Sequence, residues 1–186
     1  EVQTGWGRTG KKWFGIEQWE VMPDIMTGAK SLGNGVPVGV TMTTPAIAES
    51  FKGAQISTFG GNPVTSVACK AVIDLIEEDK LADNAHEVGN YFQQGLKGLQ
   101  EKHQVIGDVR GMGCMQALEL VKDRKTKEPA PQETNRLLDE ARNAGLLIGK
   151  GGLYGNVIRM SPPMNISKAD VDEAIRMLDA ALGAVK

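Results

Sequence analysis

The sequence predicts an α/β chain in two parts, the end of an α/β domain followed by a small α+β domain. Residues 1–61 are rich in Gly, Thr and Pro, and a helical period follows them. After residue 104, short apolar runs alternate with further helical periods. We therefore expect residues 1–78 to form the end of the first domain, and residues 79–186 to form the α+β domain with a linking helix.

The composition is that of an ordinary globular protein. The chain has 186 residues, of which 41% are hydrophobic and 24% are charged. A net charge of −2 gives no electrostatic reason to expect nucleic acid or an anionic membrane as a partner, and no apolar run is long enough to span a bilayer. The two cysteines, Cys69 and Cys114, suggest neither a disulfide framework nor a metal site, and reduced thiols favour a cytosol-like compartment.

The chain opens on Glu1, without Met and without a signal-like apolar segment. Residues 1–5 have the pattern of a strand that ends in a loop, as if the sequence began inside an element. We therefore expect this chain to be a fragment or a processed piece of a longer protein.

Several segments have a helical period or a recognisable helix end. Residues 44–51 and 62–76 each begin with a capping side chain and a proline at the first helical position. Residues 81–99 repeat apolar side chains at steps of three and four. Residues 134–144 are followed by a glycine that stops a helix, and residues 167–182 open on a capping box. Each of these segments is therefore predicted to be a helix.

Short apolar runs in the second half predict strands. Residues 105–110 and 115–120 flank a glycine turn, and residues 146–148 and 157–160 follow later. Between these pairs, residues 123–131 are charged and bounded by proline, which is typical of a solvated loop. The predicted order is strand, strand, helix, strand, strand, helix.

Residues 5–10 match the pattern G-x-G-x-x-G. A dinucleotide site needs a strand before this pattern, a helix that starts at it and an acidic residue about 20 positions later. Residues 11–15 have no helix cap and no helical period, and no such acidic residue closes a βαβ unit. We favour a plain glycine-rich loop, and the alternative is a nicotinamide-dependent oxidoreductase that uses Gly5, Gly7 and Gly10.

Lys30 stands between an apolar stretch and a loop with the glycines Gly33 and Gly35. Most lysines lie on the surface, and the position of Lys30 is compatible with that. Its neighbours 26–29 are small or apolar, however, and the glycines permit a ligand to approach closely. The side chain is therefore a candidate amine nucleophile toward an aldehyde.

Two further positions are candidate anion sites. Ser57 and Thr58 precede a Gly-Gly turn and a helix start, which suits a phosphate, although a simple capped turn explains the same residues. Arg159 lies in an apolar strand, where an arginine either reaches solvent at an edge or binds a carboxylate with two hydrogen bonds. The residues themselves leave both interpretations open.

Taken together and in order, these pieces resemble the class III aminotransferases of the fold-type I pyridoxal-phosphate enzymes. The order and the spacing agree through essentially the whole chain. Two glycine-rich segments in the second half look most like the alanine–glyoxylate aminotransferase-like branch. The residues that carry the family resemblance are 1–10, 23–25, 29–35, 57–63 and Arg159, and those that indicate the branch are 107–113 and 149–152.

The resemblance implies a fold and a site. Residues 1–78 would be the C-terminal portion of the fold-type I large domain, and residues 79–186 the small α+β C-terminal domain. Lys30 would hold pyridoxal 5'-phosphate through an imine, and Gln3 would hydrogen-bond the phenolic oxygen of the cofactor. Thr58 would bind the cofactor phosphate of a partner subunit, and Arg159 would hold the substrate carboxylate.

The resemblance also implies an activity. The protein would move an amino group from an amino acid or amine to a 2-oxo acid of the pyruvate or glyoxylate type. Its active sites would be shared across a homodimer in the cytoplasm, or in the mitochondrial matrix of a eukaryote. The same Lys30 would serve a mutase or a decarboxylase of the family.

One departure from the family pattern concerns the cofactor ring. The family has an aspartate directly before the residue that matches Glu1, and this aspartate makes the ring an electron sink. That aspartate, the glycine-rich phosphate loop and the ring-stacking aromatic all lie upstream in the family and are absent from this sequence. We therefore expect this chain to contain half of the cofactor site, and an inactive or interaction-only piece is the alternative.

Overall fold

The computed structural model describes residues 1–185. These residues divide into two compact units, Glu1–Asp83 and a second unit that starts at Asn84. The division falls inside a helix, α3, which spans Leu81–Lys102. The preceding helix ends at Glu78, where the sequence analysis placed the domain boundary, and that boundary stays a prediction.

The first unit contains an antiparallel hairpin that the sequence analysis did not predict. Strand β1 (Ile25–Ala29) pairs with strand β2 (Gly39–Thr43), and Ala29 lies opposite Gly39 at the closed end. Most side chains of both strands are exposed or half-buried, so the strands lack the buried apolar alternation that marks a strand in sequence. A short 3-10 helix, Lys30–Gly33, follows β1 directly and begins the connection.

The start of the chain differs from its predicted structure. The strand end predicted at residues 1–5 is wrong, because residues 2–9 form consecutive turns. The N–H of Gly5 donates to the carbonyl of Glu1 at 3.2 Å, which closes the first turn and removes the extended backbone that a strand needs. A 3-10 helix, Gly15–Trp19, follows these turns.

Helices α1 and α2 begin as the sequence predicts. α1 spans Pro45–Ser50, and the side chain of Thr44 accepts a backbone hydrogen bond at 3.4 Å. α2 spans Pro63–Glu78, and the side chain of Asn62 accepts a backbone hydrogen bond at 3.1 Å. Both caps satisfy N–H groups that the first helical turn leaves without a partner.

The second unit is an α+β domain with a sheet of four antiparallel strands in the order β3-β4-β6-β5. The helices and the sheet share an apolar core that includes Leu96, Leu118, Ile158 and Leu178. The observed order of elements agrees with the predicted order. After α3 the elements are β3 Ile106–Met112, β4 Met115–Leu120, α4 Pro131–Asn143, β5 Gly149–Gly151, β6 Val157–Met160 and α5 Lys168–Ala184.

One predicted strand of the second unit lies in a different place. The apolar run 146–148 is not a strand, because Gly145, with a φ of 91°, turns the chain after α4. Pairing with β6 starts at Gly149 instead, opposite Arg159. Both ends of the apolar run pack against the core from a loop. Their apolar character therefore indicates packing here and not strand pairing.

Candidate functional site

Lys30 is the first residue of the 3-10 helix in the hairpin connection. Its φ is 51°, in the left-handed region, and the connection contains two more such residues, Asn34 at 44° and Gly35 at 101°. A non-glycine residue held there carries a strain of about 1–3 kcal/mol, and such strain is concentrated at functional sites. The hairpin therefore holds the backbone of Lys30 in a conformation that a free chain would leave.

The side chain of Lys30 reaches the turn at the start of the chain. Its Nζ donates a hydrogen bond to Oε1 of Gln3 at 3.3 Å, across 27 positions of sequence. Lys30 is exposed and Gln3 is half-buried, so the amine has an anchored amide partner and remains accessible to a ligand. The structure thus brings together two of the four predicted site residues, Lys30 and Gln3.

Trp6 connects this turn to β1, and the sequence analysis gave it no role. Its side chain is 6% exposed and meets Phe14 edge-to-face, with ring centres 5.3 Å apart. A Cβ atom placed on Gly28 would lie 2.9 Å from Cζ2 of Trp6, closer than real Cβ contacts. Gly28 therefore lets the indole pack directly on β1, the strand that ends one residue before Lys30. A glycine inside a strand is the sequence signal for such a close approach.

The glycine pattern at residues 5–10 forms turns. Gly7 and Gly10 have φ values of 78° and 87°, which non-glycine residues rarely adopt. Within residues 1–185 no helix starts at the pattern, and the next helical segment is the 3-10 helix Gly15–Trp19. The strand–turn–helix context that the oxidoreductase alternative needs is therefore missing from this part of the chain.

Thr58 lies in the exposed turn that precedes α2. A Cβ atom on Gly60 would lie 2.8 Å from Oγ of Ser57, so this turn is packed tightly on its own hydroxyl. Thr58 makes no hydrogen bond to Lys30 or Gln3 among the residues that the structure describes. The structure leaves its hydroxyl exposed and does not join it to the lysine–glutamine pair.

Arg159 lies in β6 of the second unit, opposite Ala117 on β4 and Gly149 on β5. A Cβ atom on Gly151 would lie 3.2 Å from Cδ of Arg159, so the glycine leaves room for the arginine side chain over β5. Arg159 lines a cavity of about 400 Å³ that has mostly apolar walls. No acidic side chain of residues 1–185 pairs with it, and its guanidinium is therefore available for a carboxylate.

The described residues contain neither a transmembrane helix nor a metal-binding cluster. No helix within them is both long and apolar enough to cross a membrane. The same residues contain no group of three or more His, Cys, Asp or Glu side chains placed to hold a metal ion. His103, which the sequence analysis left without a role, pairs with Asp179 through Nε2 and Oδ1 at 2.6 Å.

Comparison with known families matches nearly the whole chain to one of them. The model of the class III aminotransferases matches residues 1–182. The chain belongs to this family. An amine transaminase from an uncultivated Pseudomonas species supports the fold class, because its crystal structure covers 100% of this class III chain with a TM-score of 0.92 at 35% identity. The family resemblance and the partial fold-type I architecture are thus confirmed.

Two curated relatives match this class III chain along its length. The mitochondrial alanine–glyoxylate aminotransferase 2 homolog 2 of Arabidopsis thaliana is 48% identical over 183 residues, 98% of this chain. The leucine/methionine racemase of Thermococcus litoralis is 43% identical over 187 residues, 100% of this chain. The chain spans 38% of the plant protein, 42% of the racemase and 44% of the Pseudomonas transaminase.

The residues of the first unit fit the cofactor that the sequence predicted. Class III aminotransferases use pyridoxal phosphate, and the Pseudomonas transaminase was crystallised in its PLP-bound form. Lys30 supplies the primary amine that a covalent bond to the cofactor aldehyde requires. Within residues 1–185 no carboxylate pairs with this amine, whose neighbour is the neutral amide of Gln3. The amine of Lys30 and the amide of Gln3 are therefore compatible with bound pyridoxal phosphate.

Proposed function

We propose that the protein containing this chain moves an amino group from an amino acid or amine to a 2-oxo acid of the pyruvate or glyoxylate type. The observation that carries the proposal is the accessible amine of Lys30, on a strained hairpin turn, with Nζ 3.3 Å from Oε1 of Gln3. Membership of the class III family supports the reaction class. The name of the plant relative supports an acceptor of the glyoxylate type.

Lys30 and Gln3 have complementary roles in this proposal. When bound, pyridoxal phosphate supplies an aldehyde that condenses with amines and a ring that accepts an electron pair. Lys30 would hold the cofactor and, as a free amine, would take the proton from the substrate carbon as base and deliver it as acid to the carbon that came from the cofactor aldehyde. Gln3 would donate its amide N–H to the phenolic oxygen of the cofactor. The short distance between the two side chains supports both roles.

Arg159 and Thr58 bind anions in this proposal. Arg159 holds the substrate carboxylate, which its accessible guanidinium and the adjacent cavity support. Thr58 binds the cofactor phosphate of a partner subunit, which its exposed hydroxyl before α2 supports. These roles imply a homodimer with shared active sites. We propose the cytoplasm as its location, or the mitochondrial matrix, which agrees with the name of the plant relative.

A racemase is the second candidate, because the racemase relative is 43% identical over the whole chain. Both reactions use the amine of Lys30 to move a proton at the substrate carbon, and they differ in whether the amino group leaves the substrate. Incubating the full-length enzyme with L-leucine and no oxo acid separates them. A racemase accumulates D-leucine, whereas an aminotransferase needs an acceptor for continued turnover.

The direct test of the proposal is Lys30→Ala in the full-length protein. We expect this variant to keep a native circular dichroism spectrum, to lose the visible absorbance of protein-bound cofactor and to turn over about 10²–10⁴-fold more slowly. Borohydride reduction of the unmodified enzyme should fix the cofactor onto Lys30, as read by mass spectrometry of the peptides.

Lys80→Ala is the matched control for this test. Lys80 is also exposed and has the same φ of 51°, but it lies between α2 and α3. This variant should keep both the absorbance and the turnover. Normal turnover of the Lys30→Ala enzyme would show that the lysine is assigned wrongly.

A further inference from the structure

Both carboxylate oxygens of Glu1 accept hydrogen bonds, and the donors come from two segments of the first unit. Oε2 accepts from Oγ1 of Thr4 at 2.7 Å and from the N–H of Gly15 at 2.8 Å. Oε1 accepts from the N–H of Ile16 at 2.9 Å. Gly15 and Ile16 begin the 3-10 helix Gly15–Trp19, whose first N–H groups have no partner inside the helix. Glu1 therefore ties the first turn of the chain to the start of that helix.

This junction uses the ionised form of Glu1. Partial burial acts to raise the pKa of Glu1, but the hydrogen bonds from Thr4, Gly15 and Ile16, together with the positive charge of the adjacent terminal ammonium, hold the pKa below its ordinary value. A carboxylate only accepts hydrogen bonds, so it can serve all three donors at once. An amide would present its own N–H groups to at least one of these donors. Glutamine at this position would therefore break the junction with little change in size.

Gln3 lies between the anchored residues Glu1 and Thr4. The turn is packed tightly, because a Cβ atom on Gly5 would lie 2.7 Å from the carbonyl oxygen of Glu1. A Cβ atom on Gly15 would likewise lie 2.6 Å from Cβ of Thr4. The backbone on both sides of Gln3 is thus held against the helix start, while its side chain accepts the hydrogen bond from Lys30 at 3.3 Å.

We propose that Glu1 is a positioning residue for the pair formed by Gln3 and Lys30. Its carboxylate holds the turn in the arrangement that directs the amide of Gln3 toward the amine. Glu1 hydrogen-bonds neither side chain of the pair, and it acts through the backbone of the turn. The inference rests on the proposed function, because the position of this amide matters to the reaction only if Lys30 carries the cofactor.

The test is Glu1→Gln in the full-length holoenzyme, with Glu17→Gln as the matched control. Glu17 accepts a hydrogen bond from the N–H of Phe14 at 2.8 Å and belongs to the same 3-10 helix, but it does not hold the turn of Gln3. We expect Glu1→Gln to release the cofactor about fivefold faster or more, as the loss of one hydrogen bond implies. The pH midpoint of the visible cofactor absorbance should move by about half a unit or more. Glu17→Gln should retain the values of the unmodified enzyme.

A double variant separates positioning from a general loss of stability. If Glu1 acts through Gln3, then Glu1→Gln should add little to the effect of Gln3→Ala on cofactor release and on the pH midpoint. Additive effects would overturn the inference. So would a Glu1→Gln enzyme that melts at a lower temperature with unchanged release and midpoint.

A milder variant covers the case in which Glu1→Gln does not fold. Thr4→Ala removes one of the donors to Glu1, and we expect a smaller change in the same direction. An unchanged midpoint and release rate for a Thr4→Ala enzyme would then overturn the inference. If the unmodified enzyme shows no visible cofactor absorbance, the proposed function fails and the inference fails with it. If the unmodified enzyme has this absorbance and Glu1→Gln leaves both the release rate and the pH midpoint unchanged, the inference about Glu1 is wrong while the proposed function stands.

Discussion

Two glycines on opposite strands of the hairpin that carries Lys30 have different surroundings. A Cβ atom on Gly28 would lie 2.9 Å from Cζ2 of Trp6 and 3.0 Å from Cγ1 of Val40. A Cβ atom on Gly39 would have the carbonyl oxygen of Gly28 as its nearest neighbour, at 4.0 Å. A side chain at position 28 therefore displaces the indole, whereas one at position 39 fits the available space.

We expect Gly28→Ala to destabilise the full-length protein by about 1–3 kcal/mol, the usual cost of overpacking a filled site. It should also speed the release of cofactor, because the indole belongs to the turn that carries Gln3. The control Gly39→Ala should change the free energy of unfolding by less than about 1 kcal/mol. Denaturant titration measures the free energy of unfolding, and the decay of the cofactor absorbance measures the release rate. Equal values of both quantities for Gly28→Ala and Gly39→Ala would contradict the packing argument.

Between elements, one very close approach in the second unit joins α3 to the turn between β3 and β4. A Cβ atom on Gly89 would lie 2.2 Å from the carbonyl oxygen of Gly113. Gln116, which is 2% exposed, donates from Nε2 to the carbonyl of Gly113 at 2.9 Å and to that of Gly89 at 3.4 Å. The helix and the turn thus meet backbone to backbone, and one buried amide satisfies both carbonyls.

Gly89→Ala should destabilise the protein by about 3 kcal/mol or more, because the obstructing atoms are backbone and cannot rotate aside. Gly98→Ala is the matched control on the same helix, since a Cβ atom there would meet nothing within 4 Å. That substitution should stabilise the protein by about 0.5–1 kcal/mol through helix propensity. Denaturant unfolding should show a lower free energy of unfolding for Gly89→Ala and a higher one for Gly98→Ala. An unchanged free energy of unfolding for Gly89→Ala would refute the close contact.

For the molecule as a whole, the two units differ in how much apolar surface they bury. The cluster that includes Leu96, Leu118 and Ile158 lies entirely in the second unit. The buried apolar side chains of the first unit, among the described residues, are Trp6, Leu32 and Ile76. Because apolar burial is the main favourable term in folding, the second unit should resist local opening more strongly.

Hydrogen exchange followed by mass spectrometry tests this difference between the two units. We expect the amides of β4 and β6 to exchange about 10²-fold or more slowly than those of β1 and β2, after correction for intrinsic rates. The reason is that the strands of the second unit lie in a four-stranded sheet over a packed core, whereas the hairpin has two strands. Equal protection of the hairpin would contradict the prediction.

Features that depend on neighbouring residues could be predicted from the sequence. The caps at Thr44, Asn62 and Ser167 fixed the starts of three helices, because a cap joins a side chain to an N–H group two or three positions away. Local motifs in a fixed order identified the family, and among them the small, apolar and glycine-rich surroundings made Lys30 a candidate amine.

Features that join distant residues became visible in the folded chain alone. The pairing of β1 with β2 and the position of β5 depend on contacts along exposed or glycine-rich strands, which carry no period for the sequence to reveal. The approach of Lys30 to Gln3 spans 27 positions, and it depends on the packing of Trp6 against Gly28 and on the junction made by Glu1. Such long-range contacts form only when separate segments fold against each other, so no local pattern specifies them.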